Sequence, residues 1–184
     1  MAELVAYARA NPGKLTYASA GNGSGQHILA AALWHLAGVQ LTHVPYRGAQ
    51  PAYTDLLGAR VDVFFDLSST ARPHVDAGSV KPLAVSGAAR LPIHPSVPTL
   101  RETGVAPLEL ESWFGYFAPA KTPAAELNRL RTELRKVITA PDVVERFEKA
   151  GGRPMAVMGE DAKALQKRDI DRWLPLIKAA GIQP

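Results

Sequence analysis

The hydrophobic period of this chain switches repeatedly between that of a strand and that of a helix, and this alternation limits the possible folds more than any other feature. Residues 14–18 read as a short strand ending in small side chains, after which Ile28, Leu29, Ala32, Leu33 and Leu36 return at helical spacing. Residues 41–44 form a second strand-like run and residues 49–57 a helical one closed by Gly58. Residues 61–65 are an apolar, β-rich strand of the buried type. A short helix over 70–76 and a strand over 83–86 follow. Strands separated by helices are joined by crossovers, and crossovers leave neighbouring strands parallel. The class is therefore α/β with a mostly parallel sheet.

The remaining segments have their own signals. Residues 2–10 read as a helix stopped by Asn11, Pro12 and Gly13. Pro92, Pro95 and Pro98 keep their loop irregular, and residues 99–104 suggest a short helix capped by Thr99. Residues 111–119 read as an aromatic strand. Three helices are predicted beyond it, over 123–139, 141–150 and 159–180. Leu127, Leu130, Leu134, Val137 and Ile138 share one face of the first, and Pro175 is expected to kink or restart the last.

Composition removes several function classes. No apolar run approaches the ~18 residues of a membrane-spanning helix. With no Cys, the chain has no disulfide scaffold, thiolate metal site or Cys nucleophile. The net charge of +4 arises in residues 121–184, where basic and acidic side chains interleave as on a solvated helix face. No aromatic RNA-binding signature, zinc finger or basic region accompanies it, so nucleic acid is not an expected partner. His27, His35, His43, His74 and His94 lack metal-ligand spacing and read as partly exposed structural histidines, so neither metal nor cofactor is expected.

The stretch from Ser19 to His27 carries the strongest functional signal. Gly21, Gly23 and Gly25 let a ligand approach the backbone, and a helix starts near Ser24 or Gly25. The unpaired N–H groups of its first turn suit a carboxylate or phosphate without any full positive charge. Ser19, Asn22 and Ser24 add side-chain donors. Neither the dinucleotide fingerprint, the phosphate-binding P-loop nor the nucleophile elbow fits these spacings. A small α/β hydrolase or transferase using Ser24 with His27 is the alternative reading; it lacks an orienting acid. His27, three residues after Ser24 on the first helical turn, is expected to point to solvent or to cap the helix instead. Tyr46, Arg47 and Gly48 follow the second strand, and Asp66 ends the third, while Asp62 is placed to cap its start. The three strand-end loops are thus expected to converge on one sheet edge, where open α/β sheets bind ligands.

The run from Asn11 to Gly21 followed by His27 resembles a known family, as do residues 43–48, 61–66, 98–104 and 113–123. Together they resemble the substrate-binding proteins of tripartite tricarboxylate transporters, the Bug family, over essentially the whole chain. The resemblance implies a periplasmic-binding-protein-like (type II) fold with two α/β lobes, non-enzymatic, closing around a small carboxylate. It implies a periplasmic location and membrane transporter subunits as partners of the full-length protein. By position, Ser19, Gly21, Asn22, Ser24 and His27 match the family's ligand loop, Tyr46 and Gly48 its second loop, and Asp66 its strand-end acid. A signal peptide and a first glycine-rich lobe are expected of the family and are not seen here. Residues 1–112 would then be the second lobe, and 113–184 the return crossing plus C-terminal helices of an incomplete first lobe. The face of Leu127, Leu130, Leu134 and Val137 would lack its sheet and could self-associate into a homodimer or pack on residues 1–112.

Overall fold

A computed structural model describes residues 1–182. The chain runs α1 (Ala2–Ala10), β1 (Thr16–Ser19), α2 (Gly25–Ala37), β2 (Thr42–Pro45), α3 (Ala49–Leu57), β3 (Val63–Phe64), α4 (Ser68–Asp76), α5 (Ala124–Ile138), α6 (Pro141–Lys149) and α7 (Glu160–Ala179). The three strands form one sheet in the order β2-β1-β3. Both pairings are parallel, with Tyr17 opposite His43 and Val63, and Ala18 opposite Val44 and Phe64. The strands are joined by helical crossovers, as the alternation of periods requires, and the α/β class stands.

β1 is central and buried, and its residues alternate between two cores because side chains alternate across a strand. Tyr17 faces the larger core with Val5 and Ala8 of α1, Leu29, Leu33 and Trp34 of α2, and Leu100, Leu108 and Leu110. Ala18 faces the smaller core with Ala52 of α3 and Val61. Asp62 accepts from both the N–H and the hydroxyl of Thr16 at 2.8 Å, so it clips the starts of β3 and β1 together.

Two expected strands and one expected helix are absent among the described residues. Residues 83–86 contribute only a bridge between Val85 and Thr99, with Val85 donating to Pro98 and Leu100 to Val85. Residues 111–119 find no neighbouring strand, and a strand exists only with a partner to complete its ladder. Phe114, Tyr116 and Phe117 of that segment are 83%, 90% and 74% exposed. Residues 99–104 form turns rather than a helix. Thr99 and Glu102 still exchange the reciprocal bonds of a capping box, at 2.7 and 3.1 Å, but Gly104 turns the chain before a helix can grow.

Among the described residues the last buried hydrophobic one is Leu110, and no residue of α5, α6 or α7 is buried. α7 lies against α2, with Trp173 and Leu176 touching the larger core. It runs unbroken through Pro175, without the expected restart. Trp113 donates to Asp169 within the C-terminal part, and Ser68 of α4 donates to Gly151 O at 2.7 Å, tying that part to the sheet-bearing one. α5 packs on α6, while Leu130 and Val137 remain 49% and 54% exposed.

Candidate ligand-binding site

All three strands point the same way, so Ser19, Pro45 and Phe64 end on one edge and their loops share it. The loop after β1 is built on glycine. Gly21 has φ +130° and Gly23 φ +72°, conformations that L side chains rarely adopt. A Cβ on Gly21 would also meet Tyr46 O at 3.4 Å, so this loop runs directly beside the loop after β2. Tyr46 N–H donates to Ser19 O at 3.0 Å, locking the two loops together.

Ser24 is the N-cap of α2, its hydroxyl accepting from the His27 N–H at 3.2 Å. The first-turn N–H groups of α2 therefore open at the sheet edge with the positive end of the helix dipole behind them. Asn22 lies exposed on the same loop. Ser19 is fully buried. Its hydroxyl accepts from Gly21 N–H at 3.2 Å and sits 3.1 Å from Gly21 O and 2.7 Å from His43 Nε2, so it shapes the loop from within.

Of the two expectations for His27, pointing to solvent is corrected, while its ring does bond the N–H just before the N-cap of α2. Its ring stacks on His43 with centroids 3.8 Å apart and planes at 7°. Its Nδ1 accepts from the Gly23 N–H at 3.2 Å. Burial, and secondarily the charge of His27, holds His43 down to about 4, while burial lowers His27. Ser24 Oγ bonds the backbone of His27 and the imidazole bonds Gly23, so they form no nucleophile–base pair. This removes the basis of the hydrolase or transferase reading.

Asp66 sits at the end of β3 as expected, and its carboxylate joins three helices. Oδ1 accepts from Gln26 of α2 at 3.3 Å, and Oδ2 accepts from Tyr53 of α3 at 3.0 Å and from Thr70 of α4. Burial, then the Asp66 carboxylate, raises Tyr53, keeping its hydroxyl a donor. Tyr46 donates to Asp55 at 2.8 Å, and Asp55 is also paired with Arg60 at 2.8 Å, which turns the phenol toward α3. Gly48 caps α3 beside them. The structure thus brings Ser19, Gly21, Asn22, Ser24, His27, Tyr46, Gly48 and Asp66 to one edge. Among the side chains, Ser19 and His27 bond the first loop, Tyr46 bonds α3 through Asp55, and Asp66 ties α2, α3 and α4. His43, bonded to Ser19, opens the 43–48 run, but it is the register of β1 against β2 that sets its ring beside the loop; Gln26, Tyr53 and Thr70, bonded to Asp66, carry no sequence motif. Next to the loop, a groove of about 350 Å³ between α2 and α7 is lined by Gly25, Ile28, Trp113, Ile170 and Trp173 among others.

Residues 1–182 match the tripartite tricarboxylate transporter family receptor. A UPF0065 protein in the tcbD-tcbE intergenic region of Pseudomonas sp. (strain P51) is 42% identical over 176 residues, which is 95% of this chain and 52% of that protein. The structure of R. palustris Rpa4515 with adipate superposes with a TM-score of 0.94 at 33% identity, covering 100% of this chain and 62% of that one. The periplasmic binding protein BugD superposes with a TM-score of 0.90 at 32% identity, again over 100% of this chain and 62% of that one. The chain thus spans between about half and three fifths of the length of these proteins. Its parallel sheet, its glycine-built loop and a match along the whole described chain have one reading: it belongs to the tripartite tricarboxylate transporter receptor family.

Proposed function

We propose that this chain forms one wall of the ligand cleft of a periplasmic solute receptor that captures a small carboxylate for a tripartite tricarboxylate-type transporter. The observation that carries the reading is the start of α2 at the carboxyl edge of the sheet, where the Gly25 and Gln26 N–H groups have no partner within the helix, beside a Ser19–Ser24 loop that is tied up by its own hydrogen bonds. Such a site holds an anionic oxygen by aligned N–H dipoles, and needs no catalytic group. Asn22, Ser24 and Gly48 offer amide, hydroxyl and backbone donors, Gly21 gives the loop its turn with its N–H held by Ser19, and His27, Tyr46 and Asp66 set the surrounding positions. The family match and the adipate-bound relative support the carboxylate class.

On this reading residues 1–112 are the second lobe and residues 113–184 the return crossing and helices of the first. Receptors of this kind gain affinity by closing two walls on one ligand, and a single wall gives up most of that gain. The chain is therefore non-enzymatic and binds weakly alone, with a Kd of about 1 mM or above. Calorimetry against adipate, malate and the uncharged diamide of adipate tests this. Millimolar heats with the acids and none with the diamide are expected. Equal binding of diamide and diacid, or no binding by any acid at tens of millimolar, sinks the proposal.

A further inference from the structure

We propose that His43 and His27 are positioning residues of the ligand loop: two stacked imidazoles that brace it through Ser19 and Gly23 and let it go when His27 takes up a proton. This rests on the carboxylate-site reading and adds what keeps that site in shape. Each ring spends a nitrogen on the loop. His43 Nε2 lies 2.7 Å from Ser19 Oγ, which in turn receives the Gly21 N–H at 3.2 Å. His27 Nδ1 receives the Gly23 N–H at 3.2 Å. The two positive-φ glycines of the loop are thus held, directly or through one hydroxyl, by the two histidines.

The brace works only with a neutral His27. Protonation at Nδ1 turns the acceptor for Gly23 into a donor facing a donor. It also sets a cation against a second imidazole whose ring centroid is 3.8 Å away. The groups around the pair do not offset that charge. Tyr17 of β1 packs its ring 4.9 Å from His43 and 6.4 Å from His27, and Ser19 is uncharged. The acids of neighbouring elements are engaged elsewhere, Asp66 by Gln26, Tyr53 and Thr70, and Asp169 of α7 by Trp113. Arg47, after β2, is exposed. Burial lowers the affinity of both rings for protons, in keeping with the braced form at neutral pH.

The test uses the full chain, isotope-labelled and free of any carboxylate, titrated by NMR from pH 7.5 to 4.5. The Gly23 amide resonance should move with the same midpoint as the His27 ring. In His27→Asn, which keeps an oxygen acceptor near the Nδ1 position but does not titrate, that response should vanish. A Gly23 amide that stays put while His27 titrates in the folded chain overturns the brace. A second arm measures adipate affinity by calorimetry on either side of the midpoint. A weakening of about fivefold, the worth of one hydrogen bond, is expected on the acid side. Unchanged or tighter binding there overturns the positioning role. If adipate fails to bind at either pH while the amide titrates, the brace stands and the carboxylate reading falls. If adipate binds while the amide stays flat, the carboxylate reading stands and the brace falls.

Discussion

Gly21 separates the shape of the ligand loop from its side chains. Its φ of +130° is a conformation that L side chains rarely adopt, and a Cβ there would already touch Tyr46 O at 3.4 Å, so a branched residue is excluded chiefly by backbone strain. Gly21→Val should cost about 1–3 kcal/mol in urea unfolding and abolish the calorimetric signal with adipate. A variant that binds as the parent does would show that the loop backbone is not the ligand's seat. This loop is legible in the sequence because its signal is local: small residues, then an N-cap, then helical periodicity. Asp66 is legible only as a position. That its carboxylate ties α2, α3 and α4 together depends on Gln26, Tyr53 and Thr70, which arrive from three separate elements. His43 is hidden for the same reason, since only the pairing of residue 17 with residue 43 lays its ring against Tyr17 and beneath His27.

Among elements, the longer helices follow their sequence patterns closely, whereas only the strands that find a parallel neighbour form. A helix closes its hydrogen bonds within itself, so α1, α3, α5 and α6 lie within a residue or two of their predicted spans and α2 starts where expected. A strand needs a neighbour, which is why residues 83–86 shrink to a bridge and residues 111–119 stay unpaired. The helices also differ in what they contribute. Leu33 of α2 is 2% exposed in the larger core, so Leu33→Ala should cost about 2–5 kcal/mol. Leu130 and Val137 of α5 are half exposed, so replacing both with Glu should change stability by no more than about 0.5 kcal/mol per site. Chemical denaturation of the two variants side by side checks the contrast; a large loss from the α5 variant would mean that this face is covered in solution.

For the whole molecule, acid should act in one direction. His43 is held at about 4, below the ordinary imidazole value near 6.5, so between those values the unfolded chain binds more protons than the folded one. Stability therefore rises with pH through that window, is fully present above about 6.5 and is lost as pH falls toward 4. Glu102, held at about 2 first by Arg90 and then by the Thr99 N–H, extends the loss below the ordinary carboxylate range. Thermal melts at pH 7.5, 5.5 and 4.5 should fall in that order, and the step between 7.5 and 5.5 should shrink in His43→Gln. The bare segment around Phe114, Tyr116 and Phe117 adds a property of another kind. An exposed, unpaired, aromatic stretch is what chymotrypsin takes into its cleft, whereas the sheet and α2 are closed to it. The first cut should fall there. Because α7 lies against α2 and Ser68 holds Gly151, the nicked halves should elute together from a sizing column and part only in denaturant.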